Sequence, residues 1–141
     1  MPLINIATSL QEIPTDKIEE IQQETAQYIS ASLNKSLNYV MTRLSFGDHM
    51  SFAGDSRRAS AYVEVKNIGE LSPESTSMIS QQICKTLEGR LGIEPSRVYI
   101  EFKSQFGIFG VGTVGPLLVR LVFRHLLQFY IGFVPTAAHF I

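Results

Sequence analysis

Residues 61–102 read AYVEVKNIGELSPESTSMISQQICKTLEGRLGIEPSRVYIEF, and this stretch decides the fold. Ala61–Val65 alternates apolar and polar side chains, the pattern of a half-buried strand. Ser72 and Pro73 then set an N-cap and a first-turn proline ahead of a helix. Ile79, Ile83, Leu87 and Leu91 follow at helical spacing, and Gly92 supplies a residue suited to the left-handed conformation that ends helices. Val98–Phe102 is again β-branched and aromatic, as strands prefer. Strand, helix and strand at these lengths make a βαβ unit, whose helix crosses between parallel strands.

The first half of the chain repeats the unit. Leu3–Ile6 reads as a short strand, and a helix follows from about Thr15 with Ile18, Ile21, Tyr28, Ile29 and Leu33 on one face. Asn34 closes that helix, and Tyr39–Phe46 forms the second strand. Pro14 matches Pro73 and Tyr39 matches Val98, both at an offset of 59 residues. The expected fold class is therefore α/β: two βαβ repeats forming a four-stranded sheet with two helices on one face. The other face of that sheet is left uncovered, and an apolar open face would pack against other subunits. Two sequential βαβ units in an ordinary monomeric α/β domain remain the alternative.

The chain has 141 residues, 45% of them apolar and 18% charged, enough for one domain with a real core. Twelve basic against thirteen acidic residues leave a formal charge of −1, which gives no electrostatic reason to expect nucleic acid. One cysteine, Cys84, excludes an internal disulfide framework, and reads as a small buried helix residue. His49, His125 and His139 are too scattered for a zinc site, so neither metal nor cofactor is expected. The N-terminus lacks a signal-peptide pattern, which implies a cytoplasmic protein or one secreted without a signal peptide. The averages hide a split. Residues 1–103 carry ten basic residues and all thirteen acids, whereas residues 104–141 carry only Arg120 and Arg124 within a long apolar run. The first segment is expected to be the folded domain and the second an atypical apolar tail.

Pro2 is the first candidate for chemistry. Removal of Met1 would leave it as a free secondary amine, held rigidly by the strand that follows. Among apolar residues the charged form of such an amine is disfavoured, so that a lone pair is available near neutral pH for general-base work. A second-position proline without any such role is the ordinary alternative.

Residues 1–103 resemble the macrophage migration inhibitory factor family of tautomerases. The resemblance rests on MPLINI at the start, NYVMTRLSFGDHMSFAGDSRRASAYVEVKNIGEL in the middle and LGIEPSRVYIEF at residues 91–102, in this order and at the family's spacing. It implies a homotrimeric keto–enol tautomerase, an isomerase acting on phenylpyruvate-like or dopachrome-like aromatic keto acids, with Pro2 as the proton carrier. By the same resemblance Lys35 would hold the substrate carboxylate or steady enolate charge, Ile68 would offer a backbone N–H, and Tyr99 would close the pocket of a neighbouring subunit. On the residues alone, Lys35 reads equally as a helix-end cation, Ile68 as a strand-end core residue and Tyr99 as an edge aromatic. A cytokine-like or non-catalytic interaction module is the alternative function within the same family. Two departures stand out. Glu101 falls where animal members have asparagine, which would weaken binding of an anionic acid, and the family's Cys-x-x-Cys maps onto Ser60 and Val63, so thiol redox chemistry is not expected.

The family closes with a motif near WGWNGSTF, and this chain contains no Trp. Back-translating Phe109–Leu117 and reading from the third base of the Phe109 codon recovers W-G-W-N-G, followed by residues compatible with a Thr-Phe close. The tail therefore reads as a frame change between about Phe102 and Phe109. A membrane span over residues 115–135 is the rival reading, and Arg120 and Arg124 oppose it, since each arginine at mid-membrane costs roughly 2.5–3.5 kcal/mol.

Overall fold

The computed structural model describes residues 1–105. The apolar stretch over residues 115–135 and the recoverable closing motif lie outside the described residues. Six elements follow in chain order: β1 (Leu3–Thr8), α1 (Thr15–Ser32), β2 (Met41–Ser45), β3 (Ala61–Ile68), α2 (Pro73–Leu91) and β4 (Val98–Gln105). Short 3-10 turns, Leu37–Tyr39 and Pro95–Arg97, precede β2 and β4.

The two halves are related units, with a repeat one residue shorter than the sequence match. Leu3 and Ala61, Thr15 and Pro73, and Leu37 and Pro95 are each 58 residues apart. The matched prolines mislead because they occupy different places: Pro14 is the N-cap of α1, and Pro73 lies inside the first turn of α2. The second strand also starts later than expected. Ser36 and Leu37 accept backbone hydrogen bonds from Tyr39 and Val40, which ties those two residues into the turn and leaves β2 to begin at Met41. The ends of α2 are as read. Ser72 Oγ accepts from the Ser75 amide at 3.0 Å, and Gly92 adopts φ +67° at the C-terminus.

The sheet order is β2-β1-β3-β4, with β1 parallel to β2, β3 parallel to β4, and β1 antiparallel to β3. Each βαβ unit is thus parallel within itself, and the two units meet through their first strands. Both helices cover one face. The core between them holds Ile4, Ile6, Val63 and Val65 from the sheet and Ile21, Ile29, Ile79, Ile83 and Leu87 from the helices. Each fully buried side chain of this size contributes about 1.5–3 kcal/mol of transfer free energy.

The open face is not the apolar surface that the sequence suggested. Its side chains form rows set by the strand register: Met41, Leu3, Lys66 and Lys103; then Arg43, Asn5, Glu64 and Glu101; then Ser45, Ala7, Tyr62 and Tyr99. Lys103 Nζ lies 2.9 Å from Glu64 and 3.3 Å from Glu101, and Lys66 lies 3.1 Å from Glu64. Charged residues at alternate positions of β3 and β4 pair along their own strands and, through Lys103 and Glu64, between them, and so solvate this face. The exposed large apolar side chains concentrate instead along the edge at β2, where Leu37, Tyr39, Met41 and Phe46 lie.

Arg97 fixes the long connection between β2 and β3. It is buried, and its guanidinium donates to the carbonyls of Ala59 (2.9 Å), Asp55 (2.9 Å), Arg58 (3.0 Å) and Phe52 (3.4 Å). Arg58 is exposed and bonded to Asp55 at 2.9 Å.

Candidate active site

Pro2 stands directly before β1, and its side chain is fully buried. Its carbonyl accepts from the Met41 amide at 3.0 Å, so the parallel pairing of β1 with β2 fixes its backbone. On the other side Leu3 pairs with Lys66 of β3, and one further step of that register sets Pro2 opposite Asn67. Pro2, Ile4 and Ile6 share the helix-facing side with Asn67, Val65 and Val63, an apolar setting for the proline ring.

Lys35 reaches this end of the sheet because α1 stops where it does. Asn34 takes the left-handed conformation, φ +49°, and turns the chain back. Ser30 then grips the next residue twice: its carbonyl accepts from the Lys35 amide at 3.0 Å, and its hydroxyl donates to the Lys35 carbonyl at 2.6 Å. The half-buried Lys35 side chain extends toward the end of β3, where Nζ would lie 4.0 Å from a Cβ on Gly69. Gly69 has φ +117°, a conformation that glycine alone adopts readily.

Ile68 is the last residue of β3 and is half-buried. The segment around it is held from three sides: the Gly69 amide donates to the Gln105 carbonyl (2.9 Å), and the Gly69 carbonyl accepts from Ser104 Oγ (2.8 Å) and Asn67 Nδ2 (3.4 Å). Pro2, Lys35 and Ile68 therefore gather at one end of the sheet. A buried proline close to one ammonium and to rigid backbone around a glycine suits contact with a small carboxylic acid, whose negative charge would face Lys35.

Tyr99 does not join them within one chain. It pairs with Tyr62, which pairs with Ala7, five residues along β1 from Pro2 and so about 16 Å away along the strand direction. Tyr99 is exposed on the open face and stacks on Tyr62, with ring centroids 6.0 Å apart and planes 12° from parallel. Glu101 lies on the same face, where it accepts from the Tyr62 hydroxyl at 2.6 Å. That hydrogen bond, followed by the one from Lys103, holds the Glu101 carboxyl below the usual carboxylate range, and it pushes the Tyr62 hydroxyl up. The Glu101 charge is thus answered by its own neighbours, a feature that the sequence comparison with asparagine did not reveal.

Asn67, a buried polar residue at this end of the sheet, is one that sequence reading missed. The signal was present in AYVEVKNI: Ala61, Val63 and Val65 mark the buried face, and Asn67 continues it with a polar side chain. Cys84 is half-buried rather than buried, and desolvation pushes its thiol up, against thiolate chemistry. A separate cavity of about 350 Å³, lined by Ser9, Asp48, His49 and Ser56 among others, opens at the far end of β1, and none of the four expected site residues lines it. Among the described residues no group of His, Cys, Asp and Glu is placed to hold a metal, and no helix is long and apolar enough to cross a membrane.

Comparison with known proteins identifies relatives of this fold. The family model described as macrophage migration inhibitory factor matches residues 1–117. The chain is 26% identical over 102 residues to the macrophage migration inhibitory factor homolog of Trichinella spiralis, covering 72% of this chain and 87% of that protein. Among solved structures it is similar to the macrophage migration inhibitory factor homologue of Prochlorococcus marinus, with 38% identity, a TM-score of 0.66, and coverage of 72% of this chain and 86% of that one. The crystal structure of Leishmania major MIF2 superposes with a TM-score of 0.69 at 26% identity, over 74% of this chain and 89% of that one.

Proposed function

The chain belongs to the macrophage migration inhibitory factor family, and from that premise we propose that it is an isomerase that interconverts keto and enol forms of phenylpyruvate-like or dopachrome-like acids. The observation that carries the reading is the convergence of a fully buried Pro2 with the Lys35 ammonium beside Gly69. Once Met1 is removed, the Pro2 nitrogen takes the proton alpha to the substrate carbonyl: the C–H bond breaks, an N–H bond forms, and negative charge moves onto the carbonyl oxygen. Lys35 offsets the carboxylate and the developing enolate, and the backbone N–H of Ile68 gives the acid a second contact. The enolate oxygen takes a proton from water to complete the enol, Pro2 gives its proton up to water, and the reverse path carries a proton from Pro2 to carbon.

The reading includes a homotrimer, in which Tyr99 of a neighbouring subunit closes the pocket. Its support is the distance that separates Tyr99 from Pro2 within one chain, together with the apolar edge at Leu37, Tyr39, Met41 and Phe46. We read the sequence beyond Phe109 as out of frame, which deprives the chain of the closing WGWNG. The test compares the 141-residue chain with one restored to that ending, by light scattering and by phenylpyruvate enolisation rate. The restored chain is expected to be a soluble, active trimer and the unrestored chain non-trimeric. A monodisperse, active trimer from the 141-residue chain would refute the frame reading, and two inactive chains would refute the enzyme reading.

A further inference from the structure

Asn67 carries an inference that rests on the proposed use of Pro2 and extends it. The side chain is 2% exposed. Its Nδ2 donates to the carbonyls of Gly69 (3.4 Å) and Glu70 (3.3 Å), which fixes the orientation of the carboxamide, since the reversed amide would set oxygen against oxygen. Oδ1 is then buried with no hydrogen-bond partner among the described residues. Buried acceptors are rarely left so, and each such group calls for an explanation. The other two, Thr8 Oγ1 and Ser60 Oγ, lie toward the opposite end of the sheet and belong to hydroxyls that can rotate.

The residue opposite Asn67 supplies the explanation. The register of β1 with β3, carried one residue past the Leu3–Lys66 pair, sets Pro2 across from it, and both residues are buried. Directly opposed residues of antiparallel strands have Cβ atoms about 4.5–5.5 Å apart, within reach of one side-chain hydrogen bond. While Met1 is attached, the Pro2 nitrogen is a tertiary amide and has no hydrogen to give. Cleavage of Met1 makes it a secondary amine, with one N–H when neutral and two when protonated. We propose that Asn67 Oδ1 accepts an N–H from the processed Pro2 amine and so aims the nitrogen's remaining lone pair away from β3, toward the substrate. Asn67 is thereby a positioning residue for the base, and the Gly69 and Glu70 carbonyls that anchor its other end hold the aim.

The contact stabilises the protonated amine, so Pro2 should titrate higher with Asn67 than without it. The other ionisable groups carried by neighbouring segments are Lys35 after α1, Tyr39 before β2, Lys66 on the opposite face of β3 and Glu70 in the loop that follows it, and all four are unchanged in the variants below.

The test is a titration of the full-length chain, labelled with ¹⁵N-proline and checked by mass for loss of Met1, in which the ¹⁵N shift of Pro2 is followed against pH. Asn67→Leu should lower the midpoint by about one pH unit, and Asn67→Asp should raise it by at least one, because a carboxylate favours the cationic amine. In the unsubstituted chain the Asn67 carboxamide carbon should follow the same midpoint, a readout that needs no variant to fold. Midpoints that stay within a few tenths of a unit in both variants, a carboxamide signal flat across the Pro2 transition, or retention of Met1 would each overturn the proposal. A chain restored to its WGWNG ending that is inactive, while its Pro2 titration still moves with residue 67, would refute the enzyme reading and uphold the contact.

Discussion

Replacing Gly69 with alanine separates backbone strain at the site from loss of stability in general. A Cβ at Gly69 would meet Asn67 Nδ2 at 3.7 Å and Lys35 Nζ at 4.0 Å, ordinary van der Waals contacts, so no collision is expected. The strain comes from φ +117°, a region that L residues rarely occupy and that costs about 1–3 kcal/mol. The backbone can escape only by rotating the peptides on either side. Its carbonyl is held by Ser104 and Asn67 and its amide by the Gln105 carbonyl, so relaxation must disturb the Ile68 amide and the Asn67 anchor. Gly54 is the control, since its φ of +77° is also strained and open space surrounds it. There alanine should cost about 1–2 kcal/mol, with no consequence for the site. Urea unfolding gives the stabilities and phenylpyruvate kinetics the function. The expected outcome is a loss of about 2–3 kcal/mol with at least a tenfold fall in kcat/KM for Gly69→Ala, and a smaller stability loss with unchanged kcat/KM for Gly54→Ala. Equal kinetic losses in the two variants, or an unperturbed Gly69→Ala, would refute the reasoning.

Lys35→Ala should raise KM for an anionic keto acid more than it lowers kcat, because a carboxylate clamp acts in the ground state as well as the transition state; steady-state kinetics with identical constants would make Lys35 a helix-end charge only. Arg97→Met should cost about 3–5 kcal/mol in urea unfolding, since it strips donors from the carbonyls of Ala59, Asp55, Arg58 and Phe52, and a loss under 1 kcal/mol would mean that water replaces the guanidinium freely. Stability should also fall in acid. The carboxyls of Glu64, Glu101 and Asp55 are held below their ordinary values chiefly by hydrogen bonds from Lys103, Tyr62 and Arg58. A depressed folded pKa means that the unfolded chain binds protons more tightly. The contribution of these groups is complete above the unfolded carboxylate values and is lost as pH falls through the folded ones. Urea midpoints measured downward from pH 5 should therefore decline, and the decline should flatten in a Glu64→Gln, Glu101→Gln double variant.

The helices and their buried faces were legible because an apolar stripe at helical spacing has few other uses, and the stop at Gly92 because left-handed backbone selects glycine. The antiparallel meeting of β1 and β3 was not legible, since periodicity is local and does not say which strands become neighbours. The delayed start of β2 escaped for a related reason: Tyr39 and Val40 have strand-forming side chains, but hydrogen bonds to Ser36 and Leu37 hold them in a turn. An open face of paired charges could have been read from Tyr62, Glu64 and Lys66 alternating with Ala61, Val63 and Val65. At the site, Pro2 was a candidate from its place behind Met1, whereas Lys35 was singled out only through family resemblance, because nothing in their spacing says that the turn after α1 returns to the start of β1. Asn67 left a trace in the strand alternation, whereas Arg97 left none: its role depends on four carbonyls from a distant loop.

The central claim is that the Pro2 amine moves the proton, and the rate of phenylpyruvate enolisation tests it most directly. The measurement compares the chain restored to its WGWNG ending, with Met1 removal verified by mass, against its Pro2→Gly variant under identical conditions. Loss of a positioned general base should lower kcat/KM by about 10²–10⁴-fold, with the trimer intact by light scattering. A Pro2→Gly protein that enolises phenylpyruvate at the parent rate would contradict the account.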